Sequence, residues 1–159
     1  MKITIKNDRY FIVAASFIWV FGLVAGMVDF LIVQRIMIGN VLVNTLGFLL
    51  FCFGILVRLV CRFTLKKGFS YMLKVSGDQK LITTGIYKLV RHPAYTGDYV
   101  AQLGLMIMLS SLVGAMIMSL LILPFIYRIK IEEQMLLMHF GQEYRSYMAR
   151  TKKLIPFIY

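Results

Sequence analysis

Apolar and polar positions along this chain fall into long blocks rather than a fine alternation. From Phe11 to about Val33 nearly every position is apolar, and again from about Val41 to Val60. Either run can cross a hydrocarbon core, which takes about 20 helical residues. A third apolar stretch, Tyr99 to Tyr127, is broken only at Ser110-Ser111 and Gly114. One straight helix over its full length would overshoot the bilayer, so the pattern predicts a helical hairpin turning at Ser110-Ser111. Proline favours the first helical position and pushes the preceding residue out of the α region, so His92 marks a break and Pro93 a start. The third span is then Pro93–Leu109 and the fourth Leu112 to about Ile129. Beyond Arg128 the helix continues to a stop or bend at Gly141, and a short amphipathic helix follows from Gln142. The tail Thr151 to Phe157 returns to the membrane surface.

This is an all-α, polytopic membrane architecture: four transmembrane helices, a cytoplasmic loop and cytoplasmic C-terminal helices. It is read as one domain over 1–159, with two spans in 1–62, the loop in 63–92, the hairpin in 93–129 and the C-terminal helices in 130–159. The basic start Met1–Arg9 has the character of a signal peptide, but the apolar run behind it is longer than a signal core of about 7–15 residues. It is taken as a retained span. Gly22 and Gly26 have the small-xxx-small spacing that lets helices approach closely, within the chain by default, and the pair also offers a homodimer contact.

Composition agrees. The chain is 60% hydrophobic with a net charge of +11, above the roughly 45–50% apolar share of soluble domains. Its basic residues sit between apolar runs, which argues against nucleic acid as partner. Eight fall from Arg58 to Arg91 and six from Arg128 onward, against Arg35 alone between the first two spans and none at Ser110-Ser111. The positive-inside rule therefore puts both termini and the central loop, with any site they carry, on the cytoplasmic side. Arg58 and Arg62 can snorkel to headgroups. Cys52 and Cys61 match no metal or redox spacing, and no metal site is expected.

Two polar clusters face that side: Tyr87, Arg91, His92 and Tyr95, and Arg128 with Glu132 and Glu133. Arg128 and Glu132, at i and i+4, share a helix face. Alone, each cluster has a plain explanation, a helix salt bridge or a capping histidine. Together they form a surface with an anion site, where His92 and Arg91 adjoin a helix N-terminus at Ala94 and Tyr95, and with cation-friendly rings and a carboxylate. A ligand with a carboxylate, a cationic centre and an aromatic base suits it, and S-adenosylmethionine is one such ligand among others.

Leu81-x-Thr83-x-Gly85-x-Tyr87-x-x-x-Arg91-His92-Pro93-x-Tyr95-x-Gly97, followed by Glu132-Glu133, Phe140-Gly141-x-x-Tyr144-x-x-Tyr147 and Leu154-x-Pro156, resembles the isoprenylcysteine carboxyl methyltransferase family. The likeness runs from Lys80 to Phe157; related phospholipid methyltransferases share the paired glutamates. It implies an S-adenosylmethionine site formed by Gln79, Lys80, Leu81, Ile82, Tyr87, His92, Pro93, Ala94, Tyr95 and Glu132. It places Arg128 at the substrate carboxylate, with Arg128 and Glu132 as the catalytic pair, and lets a lipophilic or prenylated substrate enter from the bilayer among membrane lipids. Departures are Gly68-Phe69-Ser70-Tyr71 where relatives often carry Trp, Gln79 for a histidine of eukaryotic members, four spans against five or more, and an unexpected Asp98.

The implied reaction is methyl transfer to the carboxylate of a lipophilic acceptor such as a C-terminal isoprenylated cysteine. A phospholipid amine and a lipophilic thiol are the alternative acceptors; an amine would need a base, and Arg128 beside it would be repulsive. A small membrane scaffold or channel subunit would explain spans and charge but leaves the ordered polar motif without a purpose.

Overall fold

The computed structural model describes residues 3–4, 8–33, 41–65, 74–75 and 80–155. It is helical apart from a two-residue antiparallel pair, β1 (Ile3–Thr4) with β2 (Lys74–Val75). The helices are α1 (Asp8–Val28), α2 (Val41–Leu65), α3 (Pro93–Met108), α4 (Leu112–Ser119), α5 (Ile122–Phe140) and α6 (Gln142–Arg150). Among the described residues three helical runs are long and apolar enough to cross a membrane: Tyr10–Ile32, Val41–Leu65 and Leu112–Phe140. α3, at 16 residues, is shorter than these.

The predicted breaks are where the chain turns. His92 precedes α3 with Pro93 in its first turn. Ser110 adopts a left-handed φ of 51°, and the Ser111 hydroxyl accepts a hydrogen bond from the Gly114 N–H at 2.9 Å, capping α4. Gly141, φ 52°, separates α5 from α6. One break lies outside the expectation of an unbroken fourth span: the run Leu112–Phe140 tightens at Leu120–Leu121, between α4 and α5. Pro124 explains it. A proline has no N–H for the carbonyl four residues back, and its ring crowds that carbonyl, here Leu120. The Leu123 N–H bonds the Leu120 carbonyl at 3.1 Å instead.

α2 and α3 form the most extensive helix contact, antiparallel, through two pairs of glycines seven residues apart, Gly47 with Gly104 and Gly54 with Gly97. A Cβ on Gly54 would lie 2.5 Å from the Gly97 carbonyl oxygen, and one on Gly104 would lie 2.5 Å from the Phe51 nitrogen. Only hydrogen fits between backbones this close. Where hydrophobic driving force is weak, as in lipid, such close packing is what holds helices together. One turn beyond Gly54, Arg58 pairs with Asp98 at 2.8 Å. Arg58 is thus tied to α3 and not simply to headgroups, and the unexpected Asp98 is its counter-ion.

α1 lies mainly against α4. Gly22 and Gly26 are buried against Met118 and Met106, so the pair serves packing within the chain. Met106, Met118 and Leu121 form the small apolar core, with Ile18, Leu23 and Phe125 around it. Large apolar side chains on the outer faces, such as Phe17 and Phe63, stay exposed, as they do when the surroundings are lipid. Asp29 accepts a hydrogen bond from the Ser111 hydroxyl at 2.6 Å, and the Ser110 hydroxyl bonds Asn44. These contacts tie the hairpin turn to the ends of α1 and α2.

The α2–α3 contact gives a direct prediction. Gly54→Ala should cost about 1–3 kcal/mol through overpacking against backbone, read as a lower melting temperature in detergent. Phe53→Leu, on the exposed side of the same helix, should melt like the parent.

Candidate functional site

The two polar clusters meet where the loop before α3 runs beside α5 and the segment after α6. Arg91 joins them. Its Nε donates to Glu133 Oε1 at 2.9 Å, and Nη1 donates to the Met148 carbonyl at 3.0 Å and to the Thr151 carbonyl. Lys153 Nζ lies 3.2 Å from Glu133 Oε2. The backbone follows the same seam: the Arg91 and His92 N–H groups donate to the Lys152 and Lys153 carbonyls at 2.8 and 2.9 Å. The Thr96 hydroxyl donates to the Leu154 carbonyl at 2.8 Å. The C-terminal segment is thereby laid as a strap along the start of α3.

Arg91 therefore does not serve as an open anion holder. Buried, with a carboxylate and two carbonyls on its donors, it is a structural clamp. The helix N-terminus is also less open than its sequence suggests, because the Tyr95 N–H already closes onto the His92 carbonyl at 3.2 Å. Pro93 has no N–H, which leaves that of Ala94.

His92, Tyr95 and Glu132 come together as expected. The Tyr95 hydroxyl donates to Glu132 Oε2 at 3.0 Å. The His92 ring is 5.9 Å from the Tyr95 ring, centre to centre, and its side chain is only 3% exposed. His92 Nδ1 is 3.9 Å from Glu132 and Nε2 is 3.6 Å from Glu133. Both distances exceed hydrogen-bond range, and Nε2 is buried without a partner among the described residues.

Tyr87 is buried behind this group. It lies beside the Cys61 side chain, and its carbonyl accepts from the Tyr147 hydroxyl at 2.6 Å. Burial, with the Cys61 side chain and the Glu132 charge adding to it, pushes the Tyr87 phenol far above its ordinary range. Burial likewise raises Tyr147, to about 12. Both stay neutral and serve as packing and hydrogen-bonding groups. Arg128 is buried one helical turn before Glu132, its guanidinium carbon 4.5 Å from the centre of the Phe11 ring. Lys80 is exposed, Leu81, Ile82 and Ala94 are half-buried, and Pro93 is buried. Gln79 lies outside the described residues.

Several participants carry no role in the sequence-derived site: Glu133 as the partner of Arg91, Lys153 and Thr151 in the strap, Phe11 against Arg128, and the buried Tyr144. For Glu133 a signal existed. With seven acidic residues in the whole chain, a carboxylate on an otherwise apolar helix needs a basic partner.

The model of the isoprenylcysteine carboxyl methyltransferase family matches residues 45–138, more than half of the chain. The chain belongs to this family. Among curated members, protein-S-isoprenylcysteine O-methyltransferase B of Arabidopsis thaliana is 28% identical over 119 residues, covering 73% of this chain and 60% of the relative. The Schizosaccharomyces pombe protein-S-isoprenylcysteine O-methyltransferase is 35% identical over 118 residues, covering 72% and 49%. A solved structure of a eukaryotic intramembrane Ras methyltransferase of the same family superposes with a TM-score of 0.77 at 27% identity, over 88% of this chain and 52% of that one. The chain thus spans about half of these relatives, with 60% as the largest share. Family and apolar helices together identify an integral membrane protein.

The two adjacent glutamates should separate in an unfolding experiment. Glu133→Ala leaves Arg91 and Lys153 without their shared counter-ion and is expected to cost about 3–5 kcal/mol, as breaking a buried pair does. Glu132→Ala, half-exposed with one tyrosine partner, should cost about 1 kcal/mol or less. Thermal or urea unfolding in detergent micelles checks both.

Proposed function

We propose that this protein transfers a methyl group from S-adenosylmethionine to the carboxylate of a lipophilic acceptor, such as a C-terminal isoprenylated cysteine, at the cytoplasmic membrane face. The observation that carries the reading is the placement of Arg128 and Glu132 one turn apart on α5, with Tyr95 of α3 and His92 just before it gathered at Glu132. It gives one site with a cationic end for an acid and an anionic, aromatic end for a sulfonium. The names of the curated relatives support the same acceptor class.

The residues present fit the methyl donor. The His92 ring lies beside Tyr95, Tyr95 offers a ring face to a cation, and Glu132 offers negative charge. Leu81, Ile82 and Ala94, all half-buried and apolar, belong with Gln79, Lys80, Tyr87 and Pro93 to the proposed donor-binding set. When bound, S-adenosylmethionine would supply an electrophilic methyl, which bonds to the carboxylate oxygen as the carbon–sulfur bond breaks and a neutral thioether is released. An acid with a pKa of about 4 is already ionised at neutral pH, so no residue has to act as general base. Arg128 holds the acid by its planar fork and aims one oxygen. Glu132 and Tyr95 hold the cationic end, and the strap over Arg91 and Glu133 keeps α3 and α5 in register. Orientation and partial desolvation are the main contributions asked of the protein.

In the proposed topology α3 crosses with α4 as a hairpin, giving four spans with both termini and the site on the cytoplasmic side. The distribution of basic residues supports it. The acceptor enters from lipid, next to the apolar faces of α1 and α5.

Labelled S-adenosylmethionine offered with farnesyl-cysteine, phosphatidylethanolamine and a lipophilic thiol in parallel should label the first. Labelling of the amine or thiol alone would reassign the acceptor, and absence of donor binding by calorimetry would sink the scheme. Arg128→Ala should lower turnover about a hundredfold through lost positioning, with donor affinity nearly unchanged. Arg128→Lys should not restore it, since an ammonium lacks the bidentate fork.

A further inference from the structure

The strap that follows α6 leads away from the polar site and toward the apolar layer. Val90 and Lys152 pair as neighbouring parallel segments, so the strap runs in the same direction as the loop entering α3. Near its end the Leu154 carbonyl accepts from the Thr96 hydroxyl at 2.8 Å, in the first turn of α3. Gly97, the next residue of that helix, is in backbone contact with Gly54. Gly54 lies within α2, a run long and apolar enough to cross a membrane, and Arg58, one turn beyond it, is the first charge at that end of the run. The end of the strap is therefore level with the edge of the apolar layer.

The side chains exposed along this seam suit that level. Leu89 is 53% exposed and Ile155 48%, and Lys88 and Lys152 are exposed beside them. Among the described residues from Lys80 onward, the one exposed acid is Glu143, which belongs to the first turn of α6 and not to the seam. Large apolar groups gain by leaving water, and a lysine can keep its ammonium among headgroups on a flexible stem. The apolar pair alone would serve a neutral surface; the two lysines complement a negative one.

We propose that the seam between loop and strap is a docking surface for anionic phospholipid headgroups, with Leu89 and Ile155 at the acyl boundary and Lys88 and Lys152 at the phosphates. The inference rests on the proposed placement of this end of the protein at a membrane surface and is independent of the methyl-transfer assignment. It gives the strap a second attachment. The Thr151 carbonyl accepts from Arg91, so a lipid that seats the strap also steadies the clamp beside His92.

Brominated acyl chains quench a tryptophan they touch, which lets the lipid next to the strap be read directly. Full-length protein carrying Ile155→Trp is placed in vesicles of phosphatidylcholine and phosphatidylglycerol, with bromine on one lipid or the other. Trp19, the single native tryptophan, is exposed on α1; it reports insertion in the parent, whose signal is subtracted. The brominated anionic lipid should quench the added indole more strongly at equal mole fraction. The expected enrichment is about fivefold or more, the scale of one lysine near an anionic surface. Lys88→Gln combined with Lys152→Gln should abolish it. Lys130→Gln combined with Arg145→Gln removes the same charge from α5 and α6 and should leave it. Leu89→Trp repeats the reading, so that a folding defect in one labelled variant still leaves the other. Equal quenching by both lipids, enrichment that survives the seam substitutions, or equal loss in the two double variants would overturn the headgroup site. Quenching of Trp19 but of neither added indole would place the seam away from the bilayer and overturn it as well. Enrichment without methyl transfer to farnesyl-cysteine would overturn the proposed reaction and leave this surface standing.

Discussion

A carboxylate and a guanidinium removed from water need each other more than either contributes to stability, and the Arg91–Glu133 pair shows what such dependence can do for a fold. Arg91 lies 42 residues before Glu133 in sequence, yet its Nε bonds Glu133 at 2.9 Å with both side chains almost wholly buried. Desolvating two charges costs several kcal/mol, offset only where geometry is good and the remaining donors are occupied. The Arg91 Nη1 donors go to the carbonyls of Met148 and Thr151, and the second Glu133 oxygen meets Lys153. Such a pair adds little net stability but penalises every arrangement in which loop, α5 and strap are out of register. Because His92 directly follows Arg91 and Glu132 directly precedes Glu133, that constraint also determines how the site residues meet.

The membrane-embedded part supplies a complementary kind of rigidity. Glycine contacts bring α2 and α3 to backbone distance, and Arg58–Asp98 marks their register one turn along. Tyr87, beside Cys61 of α2 on one side and accepting at its carbonyl from Tyr147 of α6 on the other, links this pair to the helices beyond. Side chains of α3 that reach Glu132 therefore start from a helix that is fixed on two sides. A site that works mainly by orienting two reactants depends on that stiffness, since little chemistry is left for the protein once an ionised acid faces an electrophilic methyl.

How much of this was legible in the sequence follows from the range of the forces involved. The breaks at His92-Pro93, Ser110-Ser111 and Gly141 are set by backbone preferences over a few residues, and each is found where those preferences put it. The apolar runs are equally local. Pro124 carried a local signal too, but an all-apolar background hid the resulting tightening at Leu120–Leu121. The role of Arg91 could not be read the same way. Next to a helix N-terminus it looked like an anion holder, and only the arrival of Glu133 and the Thr151 strap from far along the chain makes it a clamp. Phe11 was hidden for a related reason. Within a lipid-facing run an aromatic residue is ordinary, and nothing local marks the one that turns inward onto a cation.

The pairs Arg91/Arg128 and Glu132/Glu133 show why residue type alone could not divide the work. On an α-helix, adjacent residues are rotated by about 100°, so Glu132 and Glu133 cannot share surroundings. Glu133 turns toward Arg91 and Lys153 and is buried, while Glu132 turns toward Tyr95 and stays partly open. Arg128, one turn before Glu132, is carried to the same side of α5 and meets a ring face. Arg91, on a loop, is surrounded by acceptors. A carboxylate with two cations already beside it has little left to offer a sulfonium, and a guanidinium bound to acceptors has little left for an acid. Glu132 and Arg128, one helical turn apart on α5, are the members proposed to meet ligands, and Arg91 and Glu133 hold that helix against the loop and the strap.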